Sequence, residues 1–437
     1  MEHEVQVGLL GLAILVVLIL LRVPIGISLI VVSFGGLWVL MGWDVAWGAL
    51  GVMPYQFASS WVLSSIPMFL LMGYVCYHAK LTVGLFRAAR LWLAGIPGGL
   101  AIAAVLGCSG FAAVCGSSLA CSAAMGRIAV PEMMRARYDA ELATGTVAIA
   151  GTIGALIPPS IIMILYGIVA EVPVTKLFLG GVSAGLLTAL GYILVILIRV
   201  KLKPELAPSV KERVPLAEKL AALKETWPVV LIMIGIFGGM FTGVFTATEA
   251  GAIGAFLSCV VAMVRRVMTW KVFKDAILET LMTTGALMII AVGATLLVRF
   301  LAISGAGEYV SELIIDQNAS QWMIMLSIVL VYVLLGMFLE PIGAMLLTLP
   351  IVLPIIGASG LSLVWFGVIL TKLLEIGMVT PPIGMNVFVI KGVVGKLVST
   401  AAIFRGIAWF LAMDFLVLFF MLAYPDFILW LPEAMSR

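Results

Sequence analysis

The chain has 437 residues, of which 63% are hydrophobic and 11% are charged, and its formal net charge is +3. Soluble domains carry about 25% charged residues, so this composition and a mean hydropathy of +1.24 indicate a polytopic all-α membrane protein and exclude a soluble globular one. The small net charge gives no indication of nucleic-acid binding. The two histidines are far apart, and the five cysteines lack zinc or disulfide spacing. The chain is therefore predicted not to be an enzyme and to hold no cofactor.

Residues 1–90 are predicted to form scaffold helices of a first half. The apolar run that follows Met1-Glu-His-Glu4 has no basic region before it and no small-residue cleavage site. It is therefore predicted to be a retained first span and not a signal peptide. The uncharged runs that follow are long enough to cross a hydrocarbon core of about 30 Å.

Residues 91–170 are predicted to contain a hairpin and a broken helix. Leu91–Gly126 is uncharged, but Cys115-Gly-Ser-Ser-Leu-Ala-Cys121 at its centre is a poor helix interior, because glycine and serine favour turns. We expect a re-entrant hairpin, which requires cover by protein; the alternative is one helix with a small-residue packing face. Gly151-Thr-Ile-Gly-Ala-Leu-Ile-Pro-Pro-Ser160 then interrupts the next helix, because proline lacks an N–H and disfavours helical geometry before it.

The remaining segments follow the same plan. A span is predicted over 171–198 and a cytoplasmic linker over 199–224, where positive charges accumulate. The linker cations are Arg199, Lys201, Lys203, Lys211, Arg213, Lys219 and Lys224. The second half is predicted to contain scaffold helices over 225–279, a second hairpin and broken helix over 280–397, and a final span and tail over 398–437. Glu340-Pro341 would form the second hairpin tip, and Gly377-Met-Val-Thr-Pro-Pro-Ile-Gly384 the second break.

An internal repeat connects these features. One shift of 223 positions carries Pro158-Pro159 onto Pro381-Pro382, Gly154 onto Gly377 and the first hairpin tip onto the second. Two interrupted helices at matching positions of two halves indicate a transporter binding site. Inverted pairs are the common form in such transporters, although hydropathy alone does not settle the orientation.

Two related sodium sites are predicted at the breaks. Unwound backbone leaves carbonyl oxygens without donors, and these are hard ligands suited to an alkali cation, whereas half-helix N-termini suit an anion. The predicted ligands are Ser117, Ser118, Gly154, Ile157 and Pro159 in the first site, and Gly336, Gly343, Gly377, Thr380 and Ile383 in the second. The alternative is a pair of structural kinks that bind nothing.

Polar and ionisable residues within spans are functional candidates, because charge is costly in hydrocarbon. Arg299 lies alone in an apolar run and is predicted to hold the acidic group of an organic anion. The alternative is snorkelling to the nearby interface. Ser117, Ser118, Glu340 and Asn386 are the other predicted substrate contacts.

Two further acids have interpretations of their own. Glu249 is expected to cap the start of a helix and not to touch substrate. Glu375 precedes the second break and is a candidate for orienting it through hydrogen bonds. Asn386, which follows that break, has the alternative of pairing with a freed carbonyl.

Motifs along nearly the whole chain resemble those of the large membrane subunit of tripartite ATP-independent periplasmic (TRAP) transporters. The first-half motifs are Gly116-Ser-Ser118, Gly126-Arg-Ile-Ala-Val-Pro-Glu-Met133, Tyr138-Asp139, Gly151-Thr-Ile-Gly154, Ile157-Pro-Pro-Ser160 and Tyr166-Gly167. The second-half motifs are Phe245-Thr-Ala-Thr-Glu-Ala250, Arg299-Phe-Leu301, Phe338-Leu-Glu-Pro341 and Leu374-Glu-Ile-Gly-Met-Val-Thr-Pro-Pro-Ile-Gly384.

The resemblance implies an elevator-type fold like that of the ion transporter superfamily, in the bacterial inner membrane. It also implies sodium-coupled uptake of an organic acid anion, a carboxylate or a sulfonate, delivered by a periplasmic binding (P) protein. A small membrane (Q) subunit is the further partner, and we expect it as a separate chain because only about 20 residues precede Arg22. The alternatives are a sodium–dicarboxylate symporter that works without a binding protein, an anion channel, and a membrane-embedded enzyme.

Overall fold

The structure, a computed structural model, describes residues 2–208, 214–315 and 320–435, and within these ranges it contains helices and no strands. The helices of the first half are α1 (Glu2–Leu20), α2 (Ile25–Met41), α3 (Trp43–Ala58), α4 (Ser65–His78), α5 (Val83–Trp92), α6 (Gly99–Cys115), α7 (Ser118–Arg135), α8 (Ala140–Ala150), α9 (Ile153–Leu156), α10 (Ile161–Val169) and α11 (Val174–Leu202). Short 3₁₀ turns occupy Trp61–Ser64 and Pro204–Leu206.

The second half repeats this order with longer continuous helices. Its helices are α12 (Leu216–Lys224), α13 (Trp227–Met233), α14 (Gly239–Phe241), α15 (Ala247–Val264), α16 (Trp270–Ser304), α17 (Ala306–Ile315), α18 (Gln321–Gly336), α19 (Pro341–Ala358), α20 (Leu363–Gly377), α21 (Met385–Val394), α22 (Thr400–Ala423) and α23 (Asp426–Ala434). A π-helical turn, Ile234–Gly238, joins α13 to α14.

Eight of the described helices are long and apolar enough to cross a membrane, or nine if the bent pair that starts with α12 counts as one span. Several helices start where a Ser, Thr or Asp side chain accepts a hydrogen bond from the first turn. Asp139 caps α8 and Ser362 caps α20 in this way. Thr246 and Glu249 form a reciprocal capping box at the start of α15, which confirms the capping role predicted for Glu249.

Helix boundaries confirm the internal repeat. The shift of 223 positions carries α5 (Val83–Trp92) onto α17 (Ala306–Ile315) residue for residue. The same shift carries the first residue of α7 onto that of α19, and the first residue of α8 onto that of α20. One chain segment therefore folds twice into the same succession of helices.

The two halves pack with reciprocal contacts. In the repeat, α2 corresponds to α15, α4 to α16, α8 to α20, and α11 to α22. The packed pairs are α2 with α16, α4 with α15, α8 with α22, and α11 with α20, so each contact has a mate with the halves exchanged. Such reciprocity is what a two-fold relation between halves produces.

Buried apolar side chains form two large clusters. One joins α2, α4, α15 and α16 with α10, α19 and α20, and the other joins α6, α7, α8, α21 and α22. The first hairpin, α6–α7, therefore lies in a different cluster from the second, α18–α19. Helix α11 contributes side chains to both clusters.

Two predicted segment boundaries differ from the helices observed. The boundary predicted between residues 279 and 280 falls inside α16, which runs unbroken and packs on α2 and α4 along its length. The linker predicted over 199–224 includes the last turn of α11 and all of α12, which packs on α5. Helix therefore continues into the predicted linker from α11 at its start, and α12 occupies its end. Two of its predicted cations, Lys211 and Arg213, lie outside the described residues.

The crossing of α8 and α22 depends on two glycines and provides a test of the fold. A Cβ added to Gly145 would lie 2.5 Å from the carbonyl carbon of Gly406 and 2.8 Å from its Cα. We expect Gly145→Ala to destabilise the protein by about 1–3 kcal/mol, because the facing backbone has to move. The measurement is the midpoint of thermal unfolding of the purified protein in detergent.

The matched control is Gly285→Ala, in the middle of α16, where an added Cβ meets nothing within 4 Å. It is expected to leave the midpoint unchanged or to raise it, since alanine is the better helix former by about 1 kcal/mol. Equal midpoints for the two variants would contradict the close crossing.

Candidate functional site

The tip of the first hairpin lies directly against the first proline break. Gly116 closes α6 in a left-handed conformation, with φ of 66°, and the Ser117 hydroxyl caps the start of α7. A Cβ on Gly116 would strike the Pro159 carbonyl, and one on Gly154 would lie 2.9 Å from the Ser117 carbonyl oxygen and 3.1 Å from the Ser118 Cα. The expected turn is therefore present, although α7 resumes at Ser118, so the non-helical segment is shorter than the Cys115–Cys121 stretch.

The first break contains backbone carbonyls that have lost their donors. The helical partner of the Gly154 carbonyl is the N–H of residue 158, which is a proline and has none. Among the backbone hydrogen bonds of the described chain that are not internal to one helix, none ends on the carbonyls of Gly154, Ile157 or Pro159. Since this stretch is largely buried, its free oxygens are available to a bound cation more than to water.

The two hairpin glycines predicted for the second site have different surroundings. Gly336, the last residue of α18, lies so close to Gly377 that an added Cβ would be 2.8 Å from the Gly377 Cα. Gly343, in the first turn of α19, instead faces Ile25 of α2, whose Cδ1 would lie 2.5 Å from its Cβ. Gly336 therefore lies directly against the second break, whereas the side-chain direction of Gly343 is toward α2.

The second break is more open than the first. The Thr380 N–H donates to the Gly377 carbonyl at 3.1 Å, and the Thr380 hydroxyl donates to the Ile376 carbonyl at 2.6 Å. Both oxygens keep lone pairs for a further contact. Ile383 and the two prolines before it are exposed, whereas the corresponding prolines of the first break are buried.

A cavity of about 60 Å³ separates the two hairpin tips. Ser117 and Ser118 line it from the first tip, and Glu340 and Pro341 from the second. The N-termini of α7 and α19 both open onto this space, and each places partial positive charge there. The half-buried Glu340 carboxylate places negative charge beside them.

Asn386 and Arg299 have contrasting surroundings. Asn386, in the first turn of α21, is fully buried, and neither atom of its amide has a hydrogen-bond partner among the described residues. Buried amides are normally satisfied, so Asn386 fits a ligand contact. Arg299 lies on α16 with its side chain exposed, and it does not line the cavity between the tips.

A buried polar network that the sequence analysis did not identify runs between the two halves. Lys372 of α20 forms an ion pair with Asp414 of α22, and both side chains are buried. The Tyr192 hydroxyl lies 2.8 and 2.9 Å from the two Asp414 carboxylate oxygens and 3.0 Å from the Thr152 hydroxyl. Thr152 lies between α8 and α9, so the network ties the first break to the helix that leads into the second.

The signal for this network was present in the sequence. Asp414 is a single charge within an otherwise apolar run, and Lys372 lies in an apolar run whose one other charge is Glu375; isolation within a span is the criterion that identified Arg299. What the sequence does not contain is the pairing, because the two residues lie on different helices 42 positions apart.

Comparisons with known proteins agree with this architecture. The YdaH transporter of Alcanivorax borkumensis, a crystal structure, superposes with a TM-score of 0.63 at 14% identity, covering 88% of this chain and 89% of that one. This likeness concerns the fold alone. The chain is thus a helical membrane protein with two hairpin tips and two broken helices, in a fold that it shares with the YdaH protein.

Sequence comparison identifies the family. The family model described as "Tripartite ATP-independent periplasmic transporter, DctM component" matches residues 12–427. The C4-dicarboxylate TRAP transporter large permease protein DctM of Pseudomonas aeruginosa is 37% identical over 348 residues, which are 79% of this chain and 81% of that one. The isethionate TRAP transporter permease protein DctMQ of Oleidesulfovibrio alaskensis is 31% identical over 354 residues, 79% of this chain and 55% of that one.

The chain belongs to the DctM family and is the large membrane subunit of a TRAP transporter. It is a multi-span protein of the bacterial inner membrane and a transport component, not an enzyme. The predicted family, the transport class and the location are thereby confirmed.

The buried ion pair provides a second prediction. Asp414→Asn removes the charge that balances Lys372, and we expect a loss of about 3–5 kcal/mol of stability because an uncompensated buried ammonium remains. The measurement is the thermal midpoint together with the amount of protein recovered from the membrane.

The double variant Lys372→Met with Asp414→Leu is the control, because it removes both charges and fills similar volume. Its midpoint is expected to be close to that of the unmodified protein or above it. A single Asp414→Asn variant with an unchanged midpoint would show that the pair has no structural role.

Proposed function

We propose that this chain is the translocation subunit of a sodium-coupled importer that receives a small organic acid anion from a periplasmic binding protein. The observation that carries the proposal is the contact between the first tip and the first break. Ser117 and Ser118 lie there against Gly154, whose carbonyl has no donor. Free carbonyls and hydroxyls in a buried, non-helical segment are a suitable ligand set for a dehydrated alkali cation.

Sodium would bind at both breaks. The first site is assigned to Ser117, Ser118 and the carbonyls of Gly154, Ile157 and Pro159. The second is assigned to the Gly377, Thr380 and Ile383 oxygens with the carbonyls of Gly336 and Gly343 from the second hairpin. Each sodium that moves inward contributes about 2.3 kcal/mol per 100 mV, whereas a tenfold substrate gradient costs about 1.4 kcal/mol.

The anion would bind between the hairpin tips. The N-termini of α7 and α19 face that space and attract negative charge, and the buried, unpaired Asn386 amide beside the second break is the candidate for a neutral hydrogen-bonding group. Arg299 would provide a charged contact from α16 when the tips open. Glu340 would face the anion across the tip and is suited to discrimination between acids of different charge.

The names of the relatives support the substrate class. One relative is named for a C4-dicarboxylate and another for isethionate, which is a sulfonate. Both are small anions with acidic groups that carry several oxygens. A carboxylate and a sulfonate can each accept two hydrogen bonds from one arginine side chain.

Two further subunits complete the proposal, a periplasmic binding protein and a small membrane subunit. The family description is of a tripartite, periplasmic system, and one relative is a single DctMQ permease. Movement would be of the elevator type, in which the domain that carries both hairpins moves against the other helices.

The experiment is uptake into liposomes that contain this chain with its small membrane subunit. Substrate is presented free or bound to the periplasmic protein encoded beside the transporter, with an inward sodium gradient or with potassium in its place. Uptake is expected only with both sodium and the binding protein. Uptake of free substrate would favour a symporter that works alone, and uptake without sodium would indicate a channel.

The first sodium site provides a third prediction. Gly154→Ala places a methyl group 2.9 Å from the Ser117 carbonyl oxygen, which has to push the tip away from the break. We expect the sodium concentration for half-maximal uptake to rise roughly tenfold or more, as for other displaced metal ligands. Gly392→Ala, in α21 where an added Cβ meets nothing within 4 Å, should leave this concentration unchanged. The assignment fails if both variants keep the original sodium dependence.

A further inference from the structure

Glu375 is a buried acid that the assigned sodium ligands do not include. It lies in the last turn of α20 with none of its side chain exposed to solvent. One carboxylate oxygen accepts a hydrogen bond from the Ser118 hydroxyl at 3.1 Å, and the other has no partner among the described residues. A half-satisfied carboxyl group in the interior is costly in its ionised form unless a cation compensates it, and it is otherwise protonated.

The nearby lysine does not supply that cation. Lys372, one turn before Glu375, is bonded to Asp414, so one positive and two negative groups share this part of the interior. Among the ion pairs of the described chain, none includes Glu375. A cation bound beside Glu375 would therefore balance the charge of its ionised carboxylate.

The hydrogen bond fixes the direction of the Ser118 hydroxyl. A serine hydroxyl has one proton to donate and two lone pairs that accept. The Met378 sulfur lies 3.4 Å from the same oxygen, but a carboxylate is the stronger acceptor. With its proton directed to Glu375, the Ser118 oxygen keeps its lone pairs for the cavity that it lines.

The corresponding position in the first half has different chemistry. The shift of 223 positions that relates the halves carries Thr152 onto Glu375. Thr152 is neutral, and its hydroxyl bonds to Ile149 and Tyr192 within the first half. Glu375 instead contacts Ser118 at the hairpin tip of the other half. Of the two equivalent positions, only the one in the second half is acidic, and its side chain lies at the first tip.

We propose that Glu375 is the positioning residue and counter-charge of the cation site at the first tip. Its carboxylate holds the Ser118 hydroxyl with the lone pairs turned to the bound cation, and its charge balances that cation. This inference rests on the proposed sodium coupling. It names the acid whose negative charge favours a cation at the first site. Outer groups that orient metal ligands commonly change metal affinity by about 10–100-fold.

Two substitutions separate the charge from the hydrogen bond. Glu375→Gln keeps the reach to Ser118 and removes the charge, and Glu375→Asp keeps the charge and shortens the reach by one methylene. In the liposome assay, E375Q is expected to raise the half-saturating sodium concentration about tenfold or more. E375D should also raise the half-saturating sodium concentration, because its shorter side chain no longer holds the Ser118 hydroxyl. The maximal rate at saturating sodium should remain close to that of the unmodified transporter, which a general structural defect would not allow.

Glu249→Gln is the matched control. It removes the same charge from an exposed carboxylate that accepts hydrogen bonds from Thr246, and glutamine can replace glutamate in a capping box. E249Q is expected to leave the half-saturating sodium concentration unchanged.

The outcomes are distinct. A rise confined to the Glu375 variants supports the inference. If the unmodified transporter depends on sodium and both Glu375 variants keep its half-saturating concentration within twofold, the inference is overturned and the proposed function stands. If the unmodified transporter takes up substrate without sodium, the proposed function is overturned as well. Should E375Q not accumulate in the membrane, E375D alone decides by the same criterion.

Discussion

The structure depends on which partners the backbone carbonyls find when a helix is broken inside a membrane. Each proline pair removes the donors that helical carbonyls one turn earlier need, and hydrocarbon offers no replacement. At the first break the protein responds by packing a hairpin tip against the gap, with Gly116 and Gly154 permitting backbone to meet backbone. The same contact that covers the break places Ser117 and Ser118 against Gly154, so the structural cover and the proposed ligands belong to one contact.

Buried charge holds the two halves in register around these breaks. Lys372 and Asp414 lie on helices α20 and α22, and through Tyr192 they reach Thr152 at the first break. A buried pair of this kind adds little net stability but penalises any arrangement that separates its members. The network therefore specifies how α11, α20 and α22 meet more than it strengthens their packing.

The sequence was sufficient to predict the repeat and the broken helices, and less so to predict which side chains meet at the site. A constant shift predicted the repeat, and glycine, serine and proline predicted both breaks and the first tip, because these residues act through local backbone chemistry. Side-chain direction is not local. Gly343 lies at the predicted tip yet faces α2, and Arg299 lies in a span yet does not reach the cavity. For the same reason the partnership of Lys372 with Asp414 could not be read from spacing along one helix.

The repeat also shows how duplicated backbone can carry unequal chemistry. Equivalent positions hold Thr152 and Glu375, Ile157 and Thr380, and Ser118 and Pro341. The frame that these residues occupy is the same in both halves, since the helices around them begin at matching positions. Their contacts differ, because the first break is enclosed and the second is open to the surface.

Two sites built on one frame therefore need not bind their ligands equally. In the proposed cycle, the enclosed site with the buried acid beside it would hold a cation more strongly than the open one. Its occupancy would depend on the position of the tip, since the serine that provides a ligand also forms the tip. That dependence gives a physical route by which cation binding controls closure over the anion, without any contact between the two ligands.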